Sequence, residues 1–179
     1  MTLASYITLT RIFLIIPIII LTSFQKVELN AIALLLFIIA GFTDYLDGYI
    51  ARRTNTVSQL GALLDLTADK LLVCVTLVWL INLNNTILFI IPVLIIILRE
   101  LTISSVRQFI VELKGVNELS VSSIAKGKTT LQLISIALII ISPGLGIYLE
   151  NVALSALWIA SFVSLYSLSV YLFSWIKTL

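Results

Sequence analysis

Asp44-Tyr45-Leu46-Asp47-Gly48-Tyr49-Ile50-Ala51-Arg52, followed after eight residues by Gly61-Ala62-Leu63-Leu64-Asp65-Leu66-Thr67-Ala68-Asp69, sets four carboxylates inside otherwise apolar sequence. The flanking runs, Leu34 to Ala40 and Leu71 to Leu80, carry no charge at all. On insertion scales a central Asp costs about 2.5–3.5 kcal/mol, so four deep ones would cost roughly 10 kcal/mol. Acids kept in lipid at that cost read as functional, and the apolar runs around them read as membrane helices.

Composition supports lipid as the solvent. Sixty per cent of the 179 residues are hydrophobic, 11% are charged, and the mean hydropathy is +1.17. A soluble domain carries about 25% charged residues, so this chain lacks the polar surface for water. The expected fold is all-α and polytopic, a single domain over residues 1–179. Six transmembrane helices are predicted at roughly 9–25, 30–52, 59–80, 85–111, 121–143 and 148–176, after a short N-terminal interfacial segment. No basic region precedes the first apolar run and no small-residue cleavage site follows it, so no removable signal is expected. Arg52, Arg53, Arg107, Lys114, Lys126, Lys128 and Lys177 cluster at one end of these spans, and the opposite connections hold only Lys26. That asymmetry predicts a cytoplasmic side bearing both termini and the basic loops.

One cysteine, Cys74, and no histidine exclude an internal disulfide and a Cys/His zinc site. A net charge of +2, dispersed along the chain, gives no footprint for nucleic acid. Acid–base chemistry therefore falls to carboxylate, lysine or tyrosine.

The spacing of the acids is helical. At about 100° per residue, Asp44, Asp47, Gly48 and Ala51 share an arc of about 100°, and Gly61, Asp65 and Asp69 one of about 80°. The polar link Arg53-Thr54-Asn55-Thr56-Val57-Ser58 is short, which predicts an antiparallel hairpin of the second and third helices. About its centre the pairs Asp44/Asp69, Asp47/Asp65 and Ala51/Gly61 lie level. The hairpin should thus hold two carboxylate rungs around one hard cation, Mg²⁺ or Mn²⁺, with small residues at the mouth. Gly48 and Gly61 would let a phosphorylated ligand approach the backbone, and Arg52 would pair with its phosphate.

The eight positions Asp44, Asp47, Gly48, Ala51, Arg52, Gly61, Asp65 and Asp69 resemble, without a mismatch, the signature of the CDP-alcohol phosphatidyltransferases. That resemblance implies a homodimer in the bacterial inner membrane, with the active site between helices 2 and 3 opening to the cytoplasm. It implies that Asp44, Asp47, Asp65 and Asp69 bind Mg²⁺ and that Asp69 is the general base. Asp44, Gly48, Ala51, Arg52, Gly61 and Asp65 would line the CDP moiety. Three further segments resemble the members that join CDP-diacylglycerol to glycerol 3-phosphate. They are Ser5 to Arg11, carrying Thr8 and Arg11; Arg99-Glu100 through Arg107; and Ala125-Lys126-Gly127-Lys128-Thr129-Thr130-Leu131-Gln132. Ser5 and Ala125 depart from the usual Asn and Gly. A second phosphate, on the acceptor, needs cations apart from the acid cage, and Arg99, Arg107, Lys126 and Lys128 are the candidates.

Plainer readings stand beside these. Arg11 could snorkel to the interface, Arg99 and Glu100 could form a structural ion pair, and Lys126 and Lys128 could only set orientation. Among functions, the alternative is another acceptor within the family: serine, inositol phosphate or phosphatidylglycerol. A cation- or proton-coupled transporter is the alternative from another class, since acids in membranes also mark ion pathways.

Overall fold

The computed structural model describes the backbone of residues 3–54, 59–114 and 123–176, and the side chains of residues 8–43, 67–109 and 127–173. The described residues form six helices and no strand: α1 (Leu3–Ser23), α2 (Val27–Thr54), α3 (Gln59–Leu83), α4 (Ile87–Lys114), α5 (Ser123–Ile141) and α6 (Ile147–Ile176). Two stretches, Ile87–Phe109 and Ile147–Phe173, are long and apolar enough to cross a bilayer, while Thr8–Ser23, Val27–Thr43 and Gly127–Ile141 are shorter apolar helices. Phe13, Ile20, Leu35, Phe42, Leu98, Ile134, Phe162 and Phe173 all face outward. With Val78 on α3, apolar exposure on all six helices would drive aggregation in water and is the expected surface in lipid. This is a membrane protein.

The helices begin and end close to the sequence expectation, with one difference. Instead of a separate interfacial segment before residue 9, α1 is continuous from Leu3. Hydropathy registers only the apolar part of a helix, whereas backbone hydrogen bonding carries on through Thr8 and Arg11 because each closes its own i to i−4 bond.

A core of Ile15, Ile18, Phe37, Leu72, Leu77, Phe89, Ile96, Ile136 and Leu157 joins all six helices. The closest pairings are α1 with α2, α5 with α6, α1 with α3, and α4 with α6. Among the described residues α2 and α3 touch each other much less than each touches α1, so α1 lies against both arms of the expected hairpin. The level meeting of Asp44 with Asp69 and of Asp47 with Asp65 falls on side chains outside the described residues. Ala153, Ala160, Ser161, Ser164 and Ser167 are buried on α6, and small side chains of this kind let membrane helices approach closely.

Pro92 interrupts α4, and a proline cannot donate to the carbonyl four residues back. The Trp158 indole N–H of α6 donates to that carbonyl, Leu88 O, at 3.0 Å. In the α5–α6 connection Gly144 has φ +85°, and a Cβ there would lie 2.7 Å from Val27 Cγ2. Only glycine meets both demands.

Candidate active site

Asp69 lies on α3 one turn before Val73, its side chain 52% exposed. Thr8 and Arg11, three residues apart on α1, are both buried, and Arg11 is wholly so. The Arg11 Nη1 atom is 4.0 Å from Asp69 Oδ1. Arg11 therefore does not snorkel: it approaches the carboxylate from the protein side, and half of the Asp69 surface stays open to a ligand. Burying a guanidinium is costly unless an anion faces it, and Asp69 supplies that anion.

A second cluster forms where α4, α5 and α6 meet. Glu100 of α4 accepts hydrogen bonds from Lys128 Nζ of α5, from Gln132 Nε2 at 3.3 Å and from Arg99 Nη1 at 3.4 Å. Arg99 Nη2 donates to Ser167 Oγ at 3.1 Å, and Gln132 Nε2 donates to Ser164 Oγ at 3.0 Å. Arg99 and Lys128 are buried, and Glu100 answers both, so the trio carries one surplus positive charge. The buried Arg99 Nε has no hydrogen-bond partner among the described residues. Buried donors are nearly always satisfied, so an open one within a surplus of positive charge suits an anion. The Asp69 carboxylate lies within electrostatic range of Lys128, which links the two clusters across α3 and α5.

The residues expected from sequence divide accordingly. Arg11 and Asp69 form the α1–α3 pair, with Thr8 buried one turn before Arg11, and Arg99 and Lys128 belong to the junction of α4, α5 and α6. Arg107 lies two turns beyond Arg99 on α4 and is exposed. Asp44, Asp47, Gly48, Ala51 and Arg52 belong to α2, Gly61 and Asp65 to α3, and Lys126 to α5, but their side chains lie outside the described residues. Among the described residues no three His, Cys, Asp or Glu side chains converge. The metal fit therefore rests on donor chemistry: four carboxylates in a chain without histidine suit Mg²⁺ or Mn²⁺. Of the four, Asp69 presents an accessible oxygen.

Residues 1–166 match the sequence pattern of the CDP-alcohol phosphatidyltransferases. The chain belongs to that family. It is 39% identical over 166 residues to the CDP-diacylglycerol–glycerol-3-phosphate 3-phosphatidyltransferase of Rickettsia felis, covering 91% of this chain and 89% of that protein. The proteins of the same name from Rickettsia typhi and Haemophilus influenzae are 41% and 35% identical. Those alignments cover 91% and 93% of this chain, and 90% and 89% of the respective relatives.

In this CDP-alcohol phosphatidyltransferase, sequence reasoning missed Ser164 and Ser167 as members of the polar junction; it read Gln132 only as part of a motif, and Glu100 as part of a motif or as an ion pair with Arg99, a pair that the structure shows. Glu100 carried a usable signal, an acid inside an apolar run. The serines carried none, because single serines are ordinary in membrane helices.

Proposed function

We propose that this chain transfers the phosphatidyl group of CDP-diacylglycerol to glycerol 3-phosphate, giving phosphatidylglycerophosphate and CMP. One observation carries this reading. The accessible Asp69 carboxylate faces buried Arg11 and lies within electrostatic range of Lys128, in a junction where Arg99 and Lys128 keep surplus positive charge. A base beside a separate anion site fits an acceptor that bears both a hydroxyl and a phosphate. Serine would leave the second site without a role.

The chemistry follows from these placements. Asp69 removes the proton of the acceptor hydroxyl. The oxygen then bonds to the lipid-bearing β-phosphorus, the bond from that phosphorus to the CMP oxygen breaks, and CMP departs with the electron pair. Arg99 and Lys128 hold the acceptor phosphate so that its hydroxyl meets Asp69. Gly48, Ala51, Arg52 and Gly61 line the cytidine diphosphate, and Arg107 and Lys126 draw the acceptor in from solvent. Asp44, Asp47, Asp65 and Asp69 would hold Mg²⁺ or Mn²⁺, which when bound would neutralise charge on the pyrophosphate. The six helices all span the bacterial inner membrane, the active site and both termini face the cytoplasm, and the working form is a homodimer.

The purified enzyme should be supplied with CDP-diacylglycerol and a panel of labelled acceptors, with and without EDTA. Release of CMP with glycerol 3-phosphate, abolished by EDTA and restored by Mg²⁺, is the expected result. Preference for serine, inositol phosphate or phosphatidylglycerol overturns the acceptor assignment, and turnover indifferent to EDTA overturns the metal.

A further inference from the structure

Arg99 and Lys128 are buried cations, yet α6, the helix packed against them, brings no acid to the described contact. It brings two serines three residues apart on one helix face, Ser164 and Ser167, themselves buried. Ser167 Oγ accepts from Arg99 Nη2 at 3.1 Å. Ser164 Oγ accepts from Gln132 Nε2 at 3.0 Å, and the same amide nitrogen reaches Glu100 Oε1 at 3.3 Å. Glu100 Oε1 in turn holds the Lys128 ammonium. Each cation is thus tied to α6, directly or through Gln132 and Glu100.

The choice of partner matters. A carboxylate on α6 would fix Arg99 equally well and cancel the remaining charge, leaving nothing to attract an anion. A hydroxyl fixes direction and leaves the charge intact. The arrangement is therefore two cations, one acid and neutral hydrogen-bonding props, with Arg99 Nε still open to an acceptor atom.

We propose that Ser164 and Ser167 of α6, acting through Gln132, Glu100 and Arg99, are positioning residues that set how tightly the enzyme holds the acceptor phosphate. This rests on the reading that Arg99 and Lys128 meet that phosphate. The serines touch no reacting atom. They hold two flexible cations in one pose, so that less conformational freedom is lost when acceptor binds.

The test is steady-state kinetics on the full chain in detergent with Mg²⁺, varying glycerol 3-phosphate and CDP-diacylglycerol in turn. The variants are S164A, S167A, the double variant, E100Q and K128A, each checked for folding by thermal unfolding. Each serine variant should raise KM for glycerol 3-phosphate about three- to tenfold, from the loss of one hydrogen bond. KM for CDP-diacylglycerol should stay within twofold, and S164T should recover part of the loss. E100Q, which keeps the shape but frees Lys128, should show the same selective rise even if a serine variant folds poorly. K128A separates the two levels. If it raises the acceptor KM while the serine variants and E100Q do not, the positioning role is overturned and the acceptor site stands. If K128A leaves that KM unchanged, the acceptor site itself is overturned. Parallel rises in both KM values, or a lowered melting temperature with unchanged KM, would show packing alone and also overturn the proposal.

Discussion

Arg11 is the residue whose burial says most, because its whole side chain is inside the protein and its guanidinium faces the Asp69 carboxylate. Replacing Arg11 by a hydrophobic residue of similar volume removes the desolvation penalty of the buried cation, and Asp69, half exposed, is left to water rather than stranded in the interior. Arg11→Met should therefore leave thermal unfolding within a few degrees of wild type yet lower kcat at least about tenfold, a transition-state effect of 1.4 kcal/mol or more. Equal losses of stability and activity would make Arg11 a packing residue. Glu100 should behave in the opposite way. Glu100→Leu strands Lys128 and Arg99 without an anion and should cost about 3–5 kcal/mol of stability, measured by denaturant or thermal unfolding in detergent. At this scale the sequence was legible where solvent forbids a residue: Asp69, Arg99 and Lys128 stand out because lipid excludes charge. It was silent on Ser164 and Ser167, whose hydroxyls can turn back to their own helix and so need no reason to be there.

The helices themselves were legible from apolar runs, because a backbone in lipid must bond within its own segment. Their mutual packing was not. Nothing in hydropathy tells that α1 lies against both α2 and α3, or that Arg11 therefore reaches Asp69. Pro92 and Trp158 make the same point. Each is readable alone as a helix breaker and an interfacial aromatic, but the bond from the indole to Leu88 O exists only once α4 and α6 are packed. Trp158→Phe should cost about 1–3 kcal/mol by leaving that carbonyl without a donor. In a Pro92→Ala background, where the residue 92 N–H can donate to Leu88 O, the same change should cost markedly less. A double-mutant cycle on unfolding free energies checks this, and additive costs would contradict it.

At the scale of the whole molecule, charge asymmetry predicts one orientation, with the proposed site on the cytoplasmic side. The α1–α2, α3–α4 and α5–α6 connections lie at the end poor in cations, and the arginines and lysines of the site lie toward the other. In a Cys74→Ser background, a cysteine at Asn85 should react with a membrane-impermeant maleimide added outside spheroplasts. A cysteine at Gln108 should react only after permeabilisation; the reverse pattern contradicts a cytoplasmic site. The most direct measurement concerns the carboxylate on which the proposed chemistry turns. Asp69→Asn keeps the size of the side chain and removes its basicity, so CMP release should fall about 10²–10⁴-fold while binding of CDP-diacylglycerol is retained. An Asp69→Asn enzyme that still releases CMP at more than about a hundredth of the wild-type rate would contradict the account.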